Sequence, residues 1–119
     1  MVSILIVDDD FNIRNTCQRL FQEQGHHTQS ADSVRAALIE LERTAYDIIL
    51  LDTSIDFKVR GGSTLIDILK SDYPLIRRVA FTGQQETVFD PLAKELYNAI
   101  VCKPASLQRL YEAMGISQQ

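Results

Sequence analysis

The chain has 119 residues, of which 45% are apolar and 24% charged, with only five Gly and three Pro; this balance excludes disordered and fibrous chains. One domain fits the length, and a domain of this size buries about two-thirds of the surface its unfolded chain exposes. Twelve Lys plus Arg against sixteen Asp plus Glu leave a net charge of −4, so there is no basic stripe to neutralise phosphates and direct nucleic-acid binding is not expected.

Taken in chain order, apolar and helical segments alternate. Val2–Val7 is apolar apart from Ser3, short enough for a strand buried on both faces and far too short to span a bilayer. It meets Asp8, Asp9 and Asp10 at once, which a signal peptide does not do. Asp10 or Asp9 then caps a helix whose Ile13, Cys17, Leu20 and Phe21 share one face, and Gly25 ends it. His26–Ser30 reads as a short polar strand. Its adjacent His26 and His27 point to opposite faces, against a metal site. Asp32 or Ser33 caps a second helix with Val34, Ala37, Leu38 and Leu41 inward. Asp47–Asp52 (Asp-Ile-Ile-Leu-Leu-Asp) is the most strand-like segment, with four branched apolar residues between acidic ends.

A polar stretch follows from Thr53 to Gly62, then a helix with Leu65, Ile66 and Leu69 inward. Arg78–Thr82 forms a fourth strand. Val88, Leu92, Leu96 and Tyr97 mark a fourth helix, which starts near Asp90 or kinks at Pro91. Ala99–Cys102 is a fifth strand, stopped by Lys103 and Pro104, and Ser106 caps a last helix carrying Leu107, Leu110, Tyr111 and Met114. Ser117–Gln119 is expected to fray. Phe89, Tyr97 and Tyr111 are aromatics of the last two helices, read as core or core edge before partner surface. Cys17 and Cys102 lack a pairing pattern and read as small buried residues in a reducing, cytoplasmic setting.

Five strands alternating with five helices give an α/β domain, a parallel sheet covered on both faces. Ligands of such sheets sit at the carboxyl ends of the strands. Asp8 and Asp9 end the first strand, Asp52 the third, Thr82 the fourth and Lys103 the fifth, so three carboxylates, a hydroxyl and an ammonium converge on one rim. Three neighbouring acids need a cation to stay ionised. An all-oxygen set favours a hard ion, Mg²⁺ first, and a Lys and a Thr opposite suit the oxygens of a phosphoryl group. Asp52 is best placed to be a nucleophile.

These residues carry a family resemblance. Ile-Leu-Ile-Val-Asp-Asp-Asp (4–10) followed by Ile13-Arg14, Asp-Ile-Ile-Leu-Leu-Asp (47–52), Phe-Thr-Gly (81–83) and Lys-Pro (103–104) resemble the receiver domains of two-component response regulators over essentially the whole chain. Asp9 to Asp52 is 43 residues, Asp52 to Thr82 is 30 and Thr82 to Lys103 is 21, spacings in or near the range of such domains. The resemblance implies a flavodoxin-like (βα)5 fold with strand order 2-1-3-4-5 and one receiver domain over residues 1–119, with no effector domain. It implies that Asp52 accepts a phosphoryl group from a sensor histidine kinase, a histidine phosphotransfer protein or a small acyl phosphate. Asp9, Asp52 and the backbone carbonyl of Ser54 would hold Mg²⁺ directly, and Asp8 through a water. Thr82 would donate to one phosphoryl oxygen and Lys103 would pair with another, aimed by a cis Lys103–Pro104 peptide. The output would be the surface of the fourth helix, fifth strand and fifth helix, read by a downstream protein or an absent effector domain. The donor would meet the first helix near Asn12–Arg14. No membrane partner is implied, and no turnover beyond self-catalysed phosphorylation and dephosphorylation of Asp52.

Three departures bear on mechanism. Ile55-Asp56 stands where the family usually has Met-Pro, with Gly62 about two residues late; Asp56 adds negative charge near the rim. Ile100 replaces the usual aromatic of the fifth strand, so switching is expected to work without an aromatic flip there, through Thr82 drawn toward the phosphoryl group. Phosphoryl lifetime is tuned in the family at positions such as Ser54 and Gln84. Two alternatives differ in kind. A degenerate receiver would act as a binding module without phosphorylation. A haloacid-dehalogenase-type phosphatase would use Asp8 and Asp10, but Asn12 breaks its motif, the chain leaves no room for its usual cap domain, and Asp52 would have no role.

Overall fold

The structure, a computed structural model, describes residues 1–53, 64–83 and 95–117. Its five parallel strands are β1 (Ser3–Val7), β2 (His27–Ala31), β3 (Ile48–Leu51), β4 (Arg77–Thr82) and β5 (Ala99–Cys102), in the order β2-β1-β3-β4-β5. Among the described residues the helices are α1 (Phe11–Glu23), α2 (Val34–Arg43), α3 (Leu65–Asp72) and α4 (Leu107–Met114), the last being the final helix expected from the sequence. Val88, Phe89, Pro91 and Leu92 of the expected fourth helix lie outside the described residues, as do Ser54, Ile55, Asp56, Gly62 and Gln84. No helix among the described residues is long and apolar enough to cross a membrane.

The unbroken apolar runs follow from a sheet packed on both sides. Leu5 and Val7 of β1, with Ile49 and Leu51 of β3, face a core completed by Val34, Ala37 and Leu41 of α2 and by Leu65, Ile66 and Leu69 of α3. Ile4, Ile6, Ile48 and Leu50 face the opposite core, closed by Cys17 and Phe21 of α1 and by Leu110, Tyr111 and Met114 of α4. Phe21 and Tyr111 meet there with ring centroids 5.9 Å apart, so Tyr111 is a core residue. β2 tolerates polar side chains because it is a sheet edge, and only its Thr28 and Ala31 are buried.

The helix ends resolve what the sequence left open. Asp10 caps α1, accepting from the backbone N–H groups of Asn12 and Ile13, and Ser33 caps α2 through the N–H of Ala36. Thr64 and Asp67 form a reciprocal capping box at the start of α3. Gly25 takes φ +88° just after α1, the left-handed conformation that costs other residues a Cβ clash.

Three expectations need correction. The second strand starts at His27, one residue late, because the His26 N–H donates back to the Phe21 carbonyl and belongs to the turn that ends α1. Leu96 is in a turn and Tyr97 follows it, rather than a helix; the Leu96 carbonyl accepts from Arg78 Nε at 2.7 Å. Cys102 is exposed: it is the last residue of the edge strand β5, where alternation gives the core-facing side to the buried Val101. His26 and His27 form no site: His26 Nδ1 accepts the Val2 N–H at 3.2 Å, and His27 is exposed.

Candidate functional site

The rim is built by strand register. Val7 pairs with both Ala31 and Leu51, Leu51 with Ala80, and Thr82 with Cys102. One residue past these pairs the ladder continues. The Asp8 N–H donates to the Ala31 carbonyl at 3.1 Å, Asp52 N–H to Val7 at 2.8 Å and Lys103 N–H to Thr82 at 2.7 Å. Asp8, Asp52 and Lys103 therefore leave the sheet at one level although 95 residues separate the first from the last.

Their side chains meet. Lys103 Nζ donates to Asp8 Oδ2 at 2.7 Å and to Asp52 Oδ2 at 3.3 Å. Asp8, Asp52 and Thr82 are 1%, 6% and 1% exposed, so this is a desolvated cluster. Asp9 is exposed at its edge. Each of Asp8, Asp9 and Asp52 contributes a carboxylate oxygen to a group lying within 4.8 Å of one another. The Lys103–Pro104 peptide is cis.

Burial above all holds the Asp8 carboxyl above its ordinary range. The neighbouring Asp52 charge adds to this, and together they outweigh the Lys103 ammonium and the Asp10 N–H. Burial works against charge on Lys103 as well, but its bonds to Asp8 and Asp52 prevail and hold the ammonium above its usual value. One cation serving two carboxylates leaves excess negative charge. A hard divalent ion suits such an oxygen set, so the residues present fit Mg²⁺.

Three contacts at the rim were not foreseen from the sequence, although Arg14 and Phe81 stand in the motifs that carry the resemblance. Thr53, placed there at the head of a polar stretch, has its hydroxyl 3.1 Å from that of Thr82. Arg14 Nη1 donates to the Asp8 backbone carbonyl at 2.7 Å, pinning the loop from behind. The Phe81 ring centroid lies 5.2 Å from Lys103 Nζ, within range of a cation–π contact. A signal existed for each: Thr53 follows the strand-end Asp52, Arg14 is less than two turns past Asp8, and Phe81 precedes Thr82. Ser54 and Asp56 lie outside the described residues.

Comparison with known proteins points the same way. NtrX of Azorhizobium caulinodans, a nitrogen assimilation regulatory protein, is 28% identical over 109 residues, covering 90% of this chain and 24% of that protein. The chain spans only 21–24% of the length of the curated relatives it matches. NtrX of Brucella abortus, solved in complex with ADP, superposes with a TM-score of 0.79 at 27% identity, over 93% of this chain and 24% of that one. TrrA of Thermotoga maritima, solved in complex with Mg²⁺-BeF, shares the fold with a TM-score of 0.72 at 24% identity, over 94% of this chain and 95% of that one. The model of the response regulator receiver domain matches residues 4–115, from inside β1 to just past α4. With every described element inside or bordering that span, the chain belongs to the response regulator receiver domain family of two-component signalling.

Proposed function

We propose that Asp52 is the phosphoacceptor of this receiver and that Asp8, Asp9 and Asp52 hold Mg²⁺, with the Ser54 carbonyl as a further ligand. The observation that carries the reading is the Lys103 ammonium bonded to both Asp8 and Asp52 on the rim that Thr82 borders. An Asp52 carboxylate oxygen attacks phosphorus. The bond from phosphorus to the donor's nitrogen or oxygen breaks, and its electron pair leaves with the donor. Lys103 and Thr82 then take up phosphoryl oxygens, the first as a charge and the second as a neutral donor. A bound Mg²⁺ supplies neutralisation of the charge shared between the acids and the phosphoryl oxygens.

The donor in this reading is a sensor histidine kinase or histidine phosphotransfer protein in the cytoplasm, meeting α1 near Asn12–Arg14. Residues 1–119 act as a single receiver domain, and no substrate is turned over beyond the phosphoryl group gained and lost at Asp52. The output face comprises the segment before β5, β5 itself and α4, read by a downstream protein or an effector domain rather than by nucleic acid or membrane. Intact mass after incubation with acetyl phosphate, with and without Mg²⁺, tests the reading. Wild type should gain one phosphoryl group only with Mg²⁺, and Asp52→Asn none. An unmodified wild type whose melting responds to neither Mg²⁺ nor beryllofluoride would instead make the domain a phosphorylation-independent binding module.

A further inference from the structure

The residue after the phosphoacceptor reaches across the rim. Thr53 follows Asp52 where the chain leaves β3, and its Oγ1 donates to Thr82 Oγ1 at 3.1 Å, 29 residues away. Thr82 is buried and Thr53 half-buried, so the pair is largely shielded from competing water. A hydroxyl has one proton and two lone pairs. With one Thr82 lone pair taken by the Thr53 O–H, the Thr82 proton must be directed at some other acceptor. Accepting one hydrogen bond also strengthens the donation of the next.

From this geometry we propose that Thr53 is a positioning residue for phosphoryl transfer: its hydroxyl fixes the Thr82 hydroxyl so that the Thr82 proton points at a phosphoryl oxygen arriving on Asp52. The inference rests on the phosphoacceptor reading of Asp52. Thr53 is covalently next to the nucleophile, so any shift of Asp52 during transfer carries the Thr53 hydroxyl with it and keeps Thr82 in register. Thr53 touches neither donor nor metal in this role; it acts through Thr82.

The test is the rate of Mg²⁺-dependent phosphorylation by acetyl phosphate, followed by intact mass, for wild type, Thr53→Val, Thr53→Ser, Thr82→Val and the Thr53→Val/Thr82→Val double variant. Valine keeps the shape of Thr53 and removes its donor, so Thr53→Val should slow the reaction about three- to tenfold, the value of one neutral hydrogen bond. Thr53→Ser retains the hydroxyl and should stay within about twofold of wild type. Because Thr53 works through Thr82, adding Thr53→Val to Thr82→Val should cost nothing further. Thr53→Val at the wild-type rate, Thr53→Ser as slow as Thr53→Val, or losses that multiply in the double variant would each overturn the proposal. A wild type that takes no phosphoryl group would overturn the phosphoacceptor reading itself, a result distinguishable from all three.

Discussion

Replacing Lys103 by Met tests whether the rim is held together by the ammonium. The change keeps most of the aliphatic stem beside Phe81 and removes the charge bonded to Asp8 at 2.7 Å and Asp52 at 3.3 Å. At an effective dielectric constant of about 20 these contacts attract by about 6 and about 5 kcal/mol. Desolvating three charges offsets most of that gain. What the substitution leaves behind is the repulsion between two carboxylates whose oxygens lie within 4.8 Å, about 3.5 kcal/mol at that separation. A net loss of about 3 kcal/mol lowers the melting temperature of a domain this size by about 10–15 °C.

The loss should depend on pH with a definite sign. Without the ammonium, the Asp8 pKa in the folded state, already raised by burial and by Asp52, rises further. The folded variant then binds more protons than the unfolded chain above the ordinary Asp range, so its stability climbs as pH falls through that folded pKa. Thermal melts in chelator at about pH 7.5 and about pH 5 should therefore show the gap to wild type narrowing on acidification, and added Mg²⁺ should raise the variant more than wild type. A variant melting within about 2 °C of wild type at the higher pH, or a gap independent of pH, would refute the electrostatic account of the rim.

Two further outcomes follow from other parts of the molecule. Burial, with the Asp8 charge, pushes the Cys17 thiol up to about 11, whereas Cys102 is exposed; iodoacetamide at about pH 8 should add one group to the native chain, at Cys102, and two after denaturation, read by peptide mass. Because the folded pKa of Cys17 exceeds its unfolded value, the unfolded chain loses that proton first, and stability should fall by about 1.4 kcal/mol per pH unit between the two values, a slope that Cys17→Val would remove. In the α3 capping box, Thr64 Oγ1 accepts from the Asp67 N–H at 3.2 Å and Asp67 Oδ2 from the Thr64 N–H at 3.0 Å. Thr64→Ala should cost about 1 kcal/mol in urea denaturation, and an unchanged midpoint would show that the box contributes no net stability.

Much of the architecture was legible because its causes are local. A run such as Ile48–Leu51, apolar at every position and ended by Asp52, can be satisfied only between two packed layers, and alternation with amphipathic helices then leaves a parallel sheet. The rim residues could be nominated from the same logic, since strands that start at one level end at one level. Legibility failed where several partners compete for one group. His26 looks as much like a strand residue as His27 does, until the Phe21 carbonyl takes its N–H. Cys102 looks as much like a core residue as Val101 does, until Val101 takes the core-facing side and leaves Cys102 on the opposite face at the end of β5.

The three consecutive acids show the division most clearly. Sequence alone determined that Asp8, Asp9 and Asp10 would stand at the end of β1, because position along the chain and strand length settle that. Only the folded chain decided which of them caps the helix and which is buried in the ion-paired cluster. Asp10 turns to the N–H groups of α1, Asp9 is left to solvent, and Asp8 is buried against Lys103. The same holds for Thr53 and Thr82, whose hydroxyls meet because Leu51 and Ala80 are in register. Local propensity acts through neighbours in the chain, whereas burial, ion pairing and hydroxyl geometry depend on which distant strand the register brings alongside.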